Sequence, residues 1–198
     1  ADKVLDVLGR LVDKSLVQVD RLTGRSRYRL LDTVRQLAAE RLQSAGETAA
    51  LREAHSDFFR DLAAQQDLDG SATTQAERPQ LLDLERGNLR AALAYSLEAA
   101  PDDALALAVS LWRFWMARGH YVEGVDWLQR ALDAASDAGP LRAAALRGLA
   151  VLEIRLGHLD RATELGRHAV GLPELLAAPE QELVLGRLFV GFLSWLAG

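Results

Sequence analysis

The chain has 198 residues, 49% of them hydrophobic and 26% charged, with a formal net charge of −5. No run approaches the roughly twenty apolar residues of a membrane span, so composition implies a soluble globular chain of one or two domains, without a membrane partner. Cysteine is absent, which excludes a disulfide framework and any cysteine-ligated metal site and suits a reducing compartment. Ala1-Asp2-Lys3 opens directly into an amphipathic stretch with no signal-peptide pattern, and the expected location is cytoplasmic. Charge is uneven along the chain: from Arg10 to Arg35 seven Lys or Arg face three Asp, a local +4 that leaves −9 elsewhere. Opposite signs in two regions imply two modules.

Taken in order, Val4, Leu5, Leu8, Leu11 and Val12 recur at helical spacing and predict a short helix over 3–12. SLVQVD and SRYRLL, residues 15–20 and 26–31, read as two strands around a turn whose Gly24 can take positive φ, a β-hairpin. Asp32 or Thr33 is placed to cap the next helix, which carries Val34, Leu37, Ala38 and Leu42 and stops at Ser44-Ala45-Gly46. The domain boundary is expected here, giving 1–46 and 47–198. A long amphipathic helix follows over 47–66, then a polar loop over 67–79 with Gly70 and Pro79, then one helix over 81–97.

From Leu105 to Leu132 the spacing predicts two helices folded back at Gly119, the first with Leu107, Leu111, Trp112 and Trp115 on one face. Ala144 to Val170 is a second copy. Aligning Gly119-His120-Tyr121 with Gly157-His158-Leu159 gives an offset of 38 residues, and small residues then coincide at Gly124 with Ala162 and Ala131 with Ala169. LGRLFVGFLSWLAG, ending at Gly198, starts a third copy. Pro101, Pro140 and Pro179 each stand near a helix start, where a missing N–H is harmless. Two helices and a Gly turn repeating at 34 residues or more are the mark of a helical solenoid.

These residues resemble the tetratricopeptide family: Trp115, Gly119, Tyr121 and Ala131 fit its pattern, as do Gly157, Ala162 and Ala169, while Gly124 and Gly166 replace larger residues. That resemblance implies a right-handed array of helical pairs, truncated at the C-terminus, in which the first helix of each pair lines a groove. By this phasing the groove carries Arg113, Met116, Arg147, Ile154 and Arg155, three arginines around an apolar floor that suit an acidic-hydrophobic peptide or another anionic group.

A second resemblance covers residues 1–46. LVDKSLVQVD and RYRLLDTVRQLAAERL look like the winged-helix segment of the nucleotide-switched STAND regulators, which include bacterial transcription factors. This implies the C-terminal part of a winged-helix module (helix, β-hairpin, helix) cut from a longer protein with a nucleotide-binding domain upstream. ATP or ADP is implied for that absent domain only, because neither G-x-x-x-x-G-K-[ST] nor G-x-G-x-x-G occurs here. The family's Met-His-Asp signature falls on Leu30, Leu31 and Asp32, and only the Asp is kept. The expected fold class is therefore mostly α, a tetratricopeptide-like solenoid after one hairpin. The expected role is a non-catalytic sensor that binds a protein, peptide or effector and acts on the intramolecular nucleotide-binding domain.

Other constellations point less far. His55, His120, His158 and His168 lack the spacing of metal ligands, no nucleophile-base pattern emerges, and Asp102-Asp103 and Glu180 with Glu182 suit helix starts, so neither metal nor cofactor nor catalysis is expected in this chain. Among Trp112, Phe114, Trp115, Tyr121 and Trp127, most fall on apolar stripes, with Phe114 and Trp127 nearer the edges and so available to a ligand. The alternatives are a freestanding scaffold or co-chaperone using the same groove, and DNA contact through a basic wing of Arg21, Arg25 and Arg27, the less favoured reading.

Overall fold

The computed structural model describes residues 2–22, 25–65, 77–136, 139–170 and 191, and the chain divides into two compact units, 1–51 and 52–198. The first unit starts with helix Asp2–Asp13 (α1), strands Val17–Leu22 (β1) and Arg25–Leu30 (β2), and helix Asp32–Ser44 (α2). α1 ends where Ser15 adopts a left-handed φ of +57°, which lets the Leu16 N–H donate to the Leu11 carbonyl at 3.0 Å. The expected hairpin forms: β1 and β2 pair antiparallel from Val17 opposite Leu30 to Leu22 opposite Arg25. Val17 is buried. Its turn at 23–24, with Gly24, lies outside the described residues.

The predicted cap of α2 is not what forms. Leu31 occupies the capping position with no side-chain hydrogen bond, and Asp32 sits inside the first turn. There its carboxylate faces the positive end of the helix and accepts from Arg35 Nη2 at 2.9 Å, so it contributes by charge and not by capping. α2 buries none of its residues, and Leu37 stays 54% exposed.

The remaining helices are Thr48–Gln65 (α3), Glu77–Leu84 (α4), Arg86–Ala99 (α5), Pro101–Arg118 (α6), Tyr121–Ala134 (α7), Gly139–Leu156 (α8) and Leu159–Val170 (α9). Two sequence expectations are corrected here. The polar loop expected to run through Pro79 gives way to α4 from Glu77, with proline in the first turn where it displaces no bond. The single helix expected over 81–97 breaks at Glu85, which ends α4 and opens α5. Leu82, Leu89 and Leu93 are buried on both sides of that break, so apolar periodicity carries no trace of it.

The 38-residue repeat holds bond for bond. α8 begins 38 residues after α6, and α9 begins 38 after α7. Both first helices end on a left-handed glycine, Gly119 at φ +75° and Gly157 at φ +84°, the conformation that only glycine adopts without strain. In the first turn His120 N–H donates to the Trp115 carbonyl at 2.9 Å and Gly119 N–H to Met116 at 3.4 Å. In the second, His158 donates to Glu153 at 2.9 Å and Gly157 to Ile154 at 3.0 Å. Of the third copy expected near the C-terminus only Gly191 is among the described residues, and Pro179, Glu180 and Glu182 lie outside them.

Stacked pairs share one core. Leu111, Leu128, Leu149 and Leu152 are fully buried and Trp115 nearly so, each buried leucine contributing roughly 1.5–3 kcal/mol relative to exposure. α3 and α5 form the preceding layer, joined by the buried Ser56 and Ser96 hydroxyls at 2.7 Å, and Arg60 of α3 pairs with Asp103 of α6. Gly124, where the resembling family has a larger residue, is a point of close approach between α7 and its neighbours α6 and α8. A Cβ there would stand 2.6 Å from Leu152 Cδ1 and 2.9 Å from Trp115 Cε3. The described residues thus form nine helices and one two-stranded hairpin, a mostly α chain with a solenoid-like stack after the hairpin. None of the described helices is long and apolar enough to cross a membrane.

Candidate functional site

α6 and α8, the first helices of successive pairs, run side by side, and at one point of their contact a tryptophan lies on a glycine. A Cβ on Gly148 would meet Trp112 Cγ at 2.9 Å and Trp112 Cβ at 3.1 Å, so the indole lies directly against the α8 backbone. Trp112 is only partly buried. Its outer side, with Val109 and Arg113 of α6 and Ala144, Arg147 and Val151 of α8, bounds a cleft of about 250 Å³. These six residues recur at i, i+3, i+4 on α6 and i, i+3, i+7 on α8, one facing stripe from each helix. Two arginines and no acid line it.

Of the five residues that phasing put in the groove, the structure brings together Arg113 and Arg147. The Arg113 guanidinium lies 4.5 Å from the Trp112 ring centroid, a cation–π arrangement that fixes its place on the rim. Arg147 is exposed. Met116 instead packs on the main core, and Ile154 on a small cluster with Ala150, Ala162 and Leu165. Arg155 leans over the Tyr121 ring at 5.5 Å and donates to its hydroxyl at 3.3 Å. These three lie a turn nearer Gly119 and Gly157, at the ends of α6 and α8.

The aromatic expectation is corrected. Phe114 is fully buried and Trp127 is 9% exposed, so both are core residues, and Trp112 is the one that meets the cleft. Sequence phasing held the signal for it, since Val109, Trp112, Arg113 and Met116 share a stripe, but nothing marked Gly148 as the seat that would hold the indole outward.

On the edge of the stack where the turns lie, Asp83 of α4 accepts from Arg118 Nη2 at 2.9 Å and sits 3.0 Å from His120 Nε2. Arg86 Nη1 of α5 lies 2.9 Å from the same nitrogen. Nε2 can accept from the guanidinium when bare or donate to the carboxylate when protonated, but not both at once. The hydrogen bond with His120 holds the Asp83 carboxyl below its usual range, with Arg118 adding to this and burial opposing it. Arg90 of α5 grips Glu123 of α7 with two bonds of 2.7 and 2.6 Å, which lowers the Glu123 pKa against burial. The equivalent histidine, His158, donates from Nδ1 at 2.7 Å to the buried Glu153, whose other oxygen pairs with Arg161 at 2.8 Å. Among the described residues no three His, Asp or Glu converge as a metal-binding group.

In the hairpin, register separates the expected wing residues. Positions 25, 27 and 29 share one face of β2 with 18, 20 and 22, whereas position 21 falls on the opposite face with Val19 and Tyr28. Leu30 and Leu31, at the positions of the Met-His-Asp signature, are 37% and 38% exposed, and Asp32 is exposed.

No family model matches the chain, and no solved structure matches it significantly. Curated proteins do: one of Mycobacterium bovis and two from strains of Mycobacterium tuberculosis are each 39% identical over 193 aligned residues. The match covers 93% of this chain and 20% of each relative, so the chain spans about one fifth of the length of the curated relatives it matches. Through both of its units, then, this chain is similar to part of longer proteins that carry the name "Putative HTH-type transcriptional regulator".

Proposed function

We propose that this chain is a non-catalytic regulatory region of a bacterial transcriptional regulator built on the STAND plan. Its helical pairs, tetratricopeptide-like in their turns, bind a protein, peptide or effector at the α6–α8 cleft. The helix, hairpin, helix unit acts as the tail of a winged-helix module and relays that event to an ATP- or ADP-binding switch outside the chain, in the cytoplasm. The observation that carries this reading is the cleft itself: two arginines over an apolar floor, held open by an indole seated on Gly148. Similarity through 93% of the chain to proteins named as transcriptional regulators supports the regulatory context. Relay would follow from differential binding, since a partner can shift only an equilibrium whose two states it binds unequally.

The test is Arg113→Glu with Arg147→Glu in the full-length gene product, read by sequencing the transcripts of the host strain. The double variant is expected to shift the transcripts that a deletion of the gene also shifts. A profile identical to wild type, with the variant present at normal abundance, removes the cleft from regulation.

The relatives' printed HTH name favours one second reading, DNA contact by the hairpin. It would run through Arg25, Arg27 and Arg29 on one face, with Arg21 excluded by register. Mobility shift of duplex DNA by the chain, weakening steeply with salt and with Arg29→Ala, would establish it. Absent or salt-independent binding would dismiss it.

A further inference from the structure

We infer that the α6–α8 cleft takes one acidic side chain of a peptide together with an adjacent aliphatic one, the carboxylate between Arg113 and Arg147 and the aliphatic group on Val109, Trp112 and Val151. This rests on the partner-binding reading above and names the partner's chemistry. Charge comes first. The lining holds two guanidiniums and no acid, in a chain whose net charge is −5. Arg147 makes no hydrogen bond or ion pair among the described residues, so its planar fork of donors is available to a carboxylate in the two-bond manner that arginine favours.

Preorganisation comes second. Trp112 is held by its contact with Gly148, and Arg113 by its stack on Trp112. The floor and one rim therefore lose little conformational freedom when a ligand arrives. Size comes third. A cleft of about 250 Å³ falls below the roughly 300–1,000 Å³ of sites that enclose whole small molecules. It has room for one or two side chains, and the stripe from each helix offers a cation beside apolar surface at one step of a chain. An acid followed by a leucine or similar residue matches both halves at once.

The experiment titrates the 198-residue chain against fluorescein-labelled peptide pools with Glu-Leu fixed at the centre and randomised flanks, read by anisotropy. Parallel pools carry Gln-Leu, Glu-Ser and phosphoserine-Leu. The Glu-Leu pool is expected to bind, with the Gln-Leu and Glu-Ser pools each about tenfold weaker. Arg147→Ala, at an exposed position, should weaken Glu-Leu about tenfold, and Trp112→Phe should shrink the preference for Leu over Ser. Arg130→Ala, whose guanidinium stacks on Trp127 of α7, should leave both unchanged.

Equal binding of the Glu and Gln pools, no binding of any pool, or indifference to Arg147→Ala overturns the proposal. Binding of the phosphoserine pool alone also overturns it, since the occupant is then a phosphate. The two readings separate by where failure falls. If peptides fail but the cleft variants still change transcription, only the partner chemistry is wrong. If both fail, the cleft is not a binding site.

Discussion

Gly124→Ala sets two known effects against each other. Alanine in a helix interior is favoured over glycine by about 1 kcal/mol, so on propensity alone the variant should be more stable. The new methyl, however, would stand 2.6 Å from Leu152 Cδ1 and 3.0 Å from Trp115 Cβ. Leu152 is fully buried and Trp115 is 2% exposed, so the leucine methyl has no empty space to enter, and the tryptophan Cβ is tied to the α6 backbone. Overpacking of this kind costs about 1–3 kcal/mol. The expected balance is a loss of about 1 kcal/mol, which for a domain of this size lowers Tm by roughly 2–4 °C. Gly87→Ala is the control, because no atom lies within 4 Å of its Cβ position, and it should leave Tm unchanged or raise it. Thermal and urea unfolding followed by circular dichroism and tryptophan fluorescence read both variants. If Gly124→Ala melts at or above wild type, α7 does not approach the α6–α8 pair as closely as described.

Trp115→Ala, which empties the centre of the core, should cost about 3–5 kcal/mol and show as loss of helical circular dichroism well below the wild-type melting point. Gly119→Ala and Gly157→Ala each force a Cβ into a left-handed turn and should each lose about 1–2 kcal/mol in urea unfolding, by similar amounts if the turns are equivalent. Asp83 and Glu123 have lowered pKa values in the folded chain. Their contribution is therefore present above their unfolded pKa values and is lost as pH falls through the folded ones. Unfolding free energy measured from pH 6 downward, about two units through the carboxylate range, should fall less steeply in Asp83→Asn than in wild type. A parallel slope would place the pairing of Asp83 with His120 and Arg118 outside the folded state.

Most of the fold was legible because its signals are local. Gly119 and Gly157, with the aromatic or apolar residue two places on, marked both turns and the 38-residue offset, and the alternation around Gly24 marked the hairpin. What sequence could not show depends on small differences between neighbours. The break at Glu85 leaves Leu82, Leu89 and Leu93 in helical phase, so the pattern reads straight through it. Asp32 has the chemistry of a cap, but the helix opens one residue earlier and leaves it in the first turn. At the site, charge and phasing found Arg113 and Arg147. They could not tell Trp112 from Phe114, because which aromatic is buried depends on Gly148 lying opposite one of them on a helix 36 residues further along.

The two seams of the stack share one apolar core and differ in the side chains that meet at their edges. Between the α3/α5 layer and α6/α7, charged groups meet charged groups: Arg60 with Asp103, and Arg90 with Glu123. Between α6/α7 and α8/α9, Arg155 meets the Tyr121 hydroxyl and Arg161 the Gln129 amide, both neutral, while Trp112 on Gly148 and Leu152 beside Gly124 set the spacing. A seam fixed by backbone approach resists sliding, because close-packed contacts have no intermediate arrangement of similar energy. Ion pairs at the edge of a seam can lengthen or be exchanged for water at small cost, but Leu89 and Leu93 of α5 and Leu105 and Leu107 of α6 lie in one buried cluster beneath them. A ligand spanning α6 and α8 therefore meets a site that is already formed.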